Sequence, residues 1–205
     1  MPDSDKRHEI LKAASHCFAH FGFSKTTMDD IGGMVGLNKA SLYYYYKNKE
    51  AIFCEIIEQE GKGFIAGLKE KIETLTDWDE KIQAYLLERH KYFQQTVNLH
   101  NLSIQTAEQL KFQPIFRELA IRFLNRETDL IKEILDQALA KHAIQEVNTK
   151  KTASIILSVS NSLKNEHLHE LKTGIDPGAL DKLQAIEENT RFAVGLILNG
   201  LKIKP

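Results

Sequence analysis

Residues 24–54, SKTTMDDIGGMVGLNKASLYYYYKNKEAIFC, constrain the fold more than any other part of the chain, because they carry start and stop signals for two short helices in succession. Thr27 offers a side-chain oxygen to the free N–H groups of a first turn. Asp30 stands three residues on as its reciprocal partner, so a helix starts at Met28. Gly36 stops that helix, since glycine enters the left-handed conformation without a Cβ clash. Asn38 caps the next helix. Leu37 before that cap and Leu42 at its fourth position form a hydrophobic staple, which sets the angle between the two helices. This layout is a helix-turn-helix, whose second helix enters the major groove of DNA.

The local charge agrees. Residues 38–49 hold Lys39, Lys47 and Lys49 and no acidic residue. Tyr43 to Tyr46 advance about 100° each around a helix, so they cannot all face one core. The exposed ones present hydroxyls suited to phosphate; a surface helix with surplus aromatics would read the same way. The whole chain is near neutral, at −1, with 7 Lys/Arg against 5 Asp/Glu up to residue 49 and 20 against 23 beyond it. A small, local basic excess suits a specific dimeric reader better than a coat protein. At 205 residues the chain fits one large domain or two small ones.

From Ile10 to Phe53 three pieces recur in a fixed order: IL-AA---F---GF ending at Phe23, then TTMDDI, then VGLNKASLYYYYKNKEAIF. Together they resemble the DNA-binding domain of TetR-family transcriptional regulators, over about the first quarter of the chain. The resemblance implies an all-α protein of about nine helices in two domains. Residues 1–49 would be a three-helix helix-turn-helix domain, and residues 50–205 a helical domain for effector binding and dimerisation. It implies a homodimer on a near-palindromic operator, most simply a repressor released by a small molecule. Position by position, it puts Lys39, Ala40 and Ser41 against base edges. Thr27, Tyr43, Tyr45 and Lys49 fall on phosphates, with Tyr44 a further contact. Lys39 is the candidate guanine reader, through O6 or N7. Two positions depart from the family pattern. Gly32 and Gly33 stand where alanine is usual, each weakening a helix by about 1 kcal/mol. Tyr46 stands where a buried phenylalanine is usual, so its hydroxyl needs a partner or a route to solvent.

Helical periodicity dominates the whole chain, with no strand-like alternation and no repeat. The first helix is expected over 5–21, with Ile10, Ala14, Cys17, Phe18 and Phe21 inward. A long helix follows over 49–72; its Gly61, Gly63 and Gly67 read as close packing or as a flexible connector, packing being favoured. Asp77 and Glu80 open a helix to about 97. A break at 98–101 precedes a short helix to 111. Further helices are expected over 114–143, 148–172 and 179–202, the last two joined at Gly174, Pro177 and Gly178. Cys17 and Cys54 lie on apolar faces, as small buried hydrophobes do. No signal peptide and no run of 18 apolar residues appears, so a cytoplasmic protein away from membranes is expected.

The second domain carries aromatics suited to a cavity, Trp78, Tyr85, Tyr92, Phe93, Phe112, Phe116 and Phe123, near the polar Ser158, Asn161, Ser162 and Asn165. They read as a small-molecule site or as plain core. With no cluster of Arg or Lys expected among the inward positions, the effector should be mostly apolar. The last helix is apolar on more than one side. Its Leu183, Val194, Ile197 and Leu201, with Ile156, Val159 and Leu163 of the helix before, suit a four-helix subunit interface; the alternative is a single intrachain core. The rival for function is an α-helical metal-dependent protein or enzyme using Glu166, His167, His169 and Glu170. No H-E-x-x-H, paired-cysteine or other catalytic motif supports it, so no cofactor, metal or enzymatic activity is expected.

Overall fold

The computed structural model describes the backbone of residues 2–100, 110, 112–172 and 179–203, and the side chains of these apart from 2–3, 93–94, 97–99, 164–172 and 179–183. Within them the chain is all-α. Eight helices follow in order: α1 Pro2–Phe21, α2 Met28–Met34, α3 Lys39–Tyr45, α4 Lys49–Glu73, α5 Trp78–Leu99, α6 Pro114–Ala140, α7 Thr149–Lys172 and α8 Ala179–Leu201. The short helix expected before residue 111, and the turn at Gly174–Gly178, fall largely or wholly outside the described residues.

The chain divides into two compact units. One comprises 1–64 with 93–121, the other 65–92 with 122–205. The core of the first is built around three aromatic rings. Phe18 meets Phe53 edge-on at 5.3 Å, and Phe23 lies 5.3 Å from Phe18 and 4.9 Å from Phe53. Such pairs add about 0.5–1.5 kcal/mol each beyond their burial. Ile10, Ala14, Cys17 and Phe18 are buried as the period demands, but Phe21 is half exposed. The correction has a local cause. α1 ends at Phe21, Gly22 turns the chain at φ +80°, and Phe23 takes the inward place. Cys17 and Cys54 are buried and outside any disulfide, and burial pushes the Cys17 thiol up.

In the second unit Tyr85, Leu86, Ile131, Leu135 and Leu157 are buried, and α7 packs along α8. α6 stops three residues earlier than its periodicity suggested. His142 adopts φ +54°, Ala143 N–H donates to the Ala138 carbonyl, and His142 N–H to that of Leu139. This is the two-bond cap that glycine usually closes. Close packing at the α4 glycines is also corrected in part: among the described residues, a Cβ at Gly63 or Gly67 would meet nothing within 4 Å.

Candidate nucleic-acid interface

The turn between α2 and α3 forms as its residues require. Thr27 Oγ1 accepts from the Asp30 N–H at 3.2 Å, and Asp30 Oδ2 accepts from the Thr27 N–H at 2.8 Å. The same oxygen also accepts a hydrogen bond from the Thr27 hydroxyl at 2.7 Å, and these bonds hold Asp30 below the usual carboxylate range. At the other end Gly36 sits at φ +66°. Its N–H donates to the Gly33 carbonyl and that of Leu37 to the Gly32 carbonyl, closing the helix. Asn38 Oδ1 then accepts from the Ser41 N–H at 2.9 Å, starting α3.

The two glycines of α2 differ in kind. A Cβ at Gly32 would lie 2.9 Å from the Leu37 carbonyl oxygen, whereas one at Gly33 would meet nothing within 4 Å. Gly32 thus lets the turn close against the helix. No contact among the described residues requires Gly33.

α3 presents its outer face to solvent. Lys39 and Ala40 are exposed and Ser41 half-buried. Lys39 Nζ lies 3.5 Å from Asp29 Oδ2, both side chains about two-thirds exposed. A surface pair of this kind is worth little and leaves the ammonium available. The tyrosines divide as helical geometry requires. Tyr44 is 78% exposed, Tyr43 is exposed, Tyr45 is half-buried with its ring edge-on to Tyr44 at 5.2 Å, and Tyr46 is 4% exposed. The buried Tyr46 hydroxyl donates to Glu55 Oε2 at 3.0 Å. Arg7 donates to the same oxygen at 2.7 Å and stacks 4.6 Å over the Tyr46 ring. Burial first, then the Glu55 carboxylate, pushes the phenol well above its ordinary range.

Two of the expected phosphate contacts are already engaged. The Thr27 hydroxyl is committed to the cap. Lys49 does not project outward: its ammonium donates to the carbonyls of Phe23 at 2.7 Å, Ser24 at 3.1 Å and Thr26 at 2.8 Å.

The expected effector residues are divided between the two units. Phe112 is 88% exposed, and Phe116 packs in the first unit, 6.0 Å from Phe53. In the second unit Tyr85 is buried, while Trp78, Tyr92 and Phe123 are half-buried. Ser158 and Ser162 are exposed, sharing a face of α7 with the exposed Ile155. The side chains of Phe93 and Asn165 lie outside the described residues, as do those of Leu183 and of the Glu166, His167, His169, Glu170 cluster. Among the described residues no three His, Cys, Asp or Glu side chains gather as a metal would need.

What the interior of the second unit does hold is a polar network that the sequence reading missed. The Tyr85 hydroxyl donates to Glu127 Oε1 at 3.0 Å, Arg89 Nε pairs with the same oxygen, and Arg89 Nη2 donates to Asn161 Oδ1 at 2.7 Å. The buried His90 and Ser160 form a second link, at 3.0 Å. The sequence suggests no cluster of Arg or Lys among the inward positions; a single arginine, Arg89, does face inward, paired with Glu127. A signal was present: Arg89 stands four residues after Tyr85 and shares its helix face.

The residues expected at a subunit interface differ in their exposure. Ile156 and Val194 have no accessible surface within the single chain, and Leu201 is buried. They bury their surface within the chain, and Val159, Leu163 and Ile197 are half-buried. Among the described residues there, the open large apolar side chains are Ile155, Phe192 (71% exposed) and Leu196 (61%).

Comparison with known proteins agrees with this geometry. The family model described as bacterial regulatory proteins, tetR family, matches residues 10–56. The chain is 27% identical over 160 residues to the HTH-type transcriptional regulator YhgD of Bacillus subtilis, covering 76% of this chain and 80% of that protein. It spans less than half of two further curated regulators that it matches. Among solved structures it shares the fold of a transcriptional regulator from Cytophaga hutchinsonii, with TM-score 0.76 and 23% identity over 97% of this chain and 99% of that one. It also shares the fold of FadR of Thermus thermophilus, a TetR-family repressor solved with lauroyl-CoA, with TM-score 0.69 and 20% identity over 97% and 96%.

Proposed function

The chain belongs to the TetR family of transcriptional regulators, and from that premise we propose that it is a dimeric repressor whose α3 reads an operator in the DNA major groove. The observation that carries this reading is α3 itself: a capped, acid-free helix with Lys39, Ala40, Tyr43 and Tyr44 exposed while Leu42 and Tyr46 anchor its other side. Lys39, Ala40 and Ser41 face base edges in this reading. Tyr43, Tyr44 and Tyr45 hold phosphates, which set register without reading sequence. Thr27 joins them only by releasing its cap.

The dimer closes through Ile155, Phe192 and Leu196, the apolar side chains that α7 and α8 leave open. The effector is a small, largely apolar molecule whose polar group meets the Tyr85–Glu127–Arg89–Asn161 network. The family resemblance supports a small-molecule effector; the Thermus protein's lauroyl-CoA matches the apolar part in its acyl chain alone, its coenzyme A moiety being polyanionic. Its binding weakens operator affinity only by favouring the state that DNA does not select, on a usual scale of about 1–3 kcal/mol. The protein acts in the cytoplasm; no helix among the described residues is long and apolar enough to cross a membrane.

The base-reading assignment is tested by Lys39→Ala, measured against every single-base variant of the operator. Preference should relax at one position in each half-site, by about 1–3 kcal/mol. A loss spread evenly over all sequences would contradict it.

A further inference from the structure

Lys49 is the first residue of α4, yet its ammonium reaches back 23 to 26 residues to the turn that follows α1. Three protons meet three carbonyls there, those of Phe23, Ser24 and Thr26, and Nζ lies 4.8 Å from the centre of the Phe23 ring. In the same turn the Phe23 ring packs against Phe18 and Phe53. Gly22 reverses the chain at φ +80°, and the Thr26 hydroxyl is shared between the Gly22 and Cys17 carbonyls. The residue after Thr26 is Thr27, the cap of α2, and α2 carries α3 through the Gly36 turn. One side chain therefore ties the entry of the helix-turn-helix to the start of α4.

We propose that Lys49 is a positioning residue of the DNA reader, holding the 22–27 turn so that α2 and α3 present the recognition face, and is not a phosphate contact. This rests on the DNA-binding reading given above. The chemistry favours it. A compact ammonium has three rotatable donors and suits three converging carbonyls. A guanidinium is a planar fork suited to phosphate. To hold a phosphate, Lys49 would have to leave carbonyls that are partly removed from water, and each lost bond has a cost. Burial also lowers the ammonium's proton affinity, against the opposing pull of the Glu50 carboxylate.

The two roles separate through arginine. Operator recovered from random DNA with the wild-type protein is bound to Lys49→Arg and Lys49→Ala over a range of salt, at a temperature where circular dichroism shows each folded. If Lys49 positions, both variants bind at least about ten-fold more weakly, with the wild-type slope of log K against log salt. Amide exchange then quickens at Thr26, Thr27 and Asp30 and stays unchanged through α1. If Lys49 holds a phosphate, Lys49→Arg binds as wild type and Lys49→Ala loses about one unit of slope; that result overturns the proposal, as does wild-type binding by both. Should Lys49→Ala not fold, Lys49→Arg decides alone, because it keeps charge and reach. Failure to recover any operator would count against the DNA-binding reading itself, before Lys49 is tested.

Discussion

Tyr46 shows how one atom changes the demands on a buried site. Its ring fills a place suited to phenylalanine, and its hydroxyl brings a donor that has to be satisfied inside. Glu55 accepts that donor, and Arg7 balances the carboxylate while covering the ring. Three elements, α1, the end of α3 and α4, are thereby joined at one oxygen. The need for a partner was legible from the sequence; its identity was not, since Arg7 and Glu55 stand 39 and 9 residues away. Tyr46→Phe should lower stability by about 0.5–1.5 kcal/mol, the usual net worth of such a bond. Urea unfolding measures it. No loss, or a gain, would mean that Glu55 and Arg7 satisfy each other fully without the phenol.

At the scale of elements, the caps were the most legible part of this chain. Thr27 with Asp30, Gly36, and Asn38 each form the bonds that their side chains allow. These signals are local, and a few residues settle them. α2 then offers a sharp contrast between adjacent glycines. Gly33→Ala should stabilise the protein by up to about 1 kcal/mol, because it removes a flexible residue from a helix and meets open space. Gly32→Ala should destabilise it, because the new methyl meets the Leu37 carbonyl at 2.9 Å. Thermal unfolding of the pair is the check, and equal effects of the same sign would refute the distinction. What the sequence hid were contacts that depend on where one helix meets another. Phe21 keeps the helical period yet lies past the end of the core, and Arg89 reaches partners 38 and 72 residues away.

At the scale of the molecule, an apolar excess on α8 was legible, but which side faced outward was not. Val194 and Ile156 are fully buried within the chain, and Phe192, Leu196 and Ile155 remain open. Phe192→Glu or Leu196→Glu should therefore halve the mass seen by light scattering while leaving helical content unchanged. Val194→Asp should unfold the chain, since it buries an unpaired charge. An unchanged mass for both surface variants would move the interface elsewhere. The central claim is that α3 of a symmetric dimer reads DNA. Selection of binding sites from random double-stranded DNA with the intact protein tests it most directly. The account predicts a single enriched motif whose halves are related by two-fold symmetry, with centres about 34–36 Å apart. An enriched pool with no two-fold-related motif, or no enrichment over bulk DNA, would contradict it.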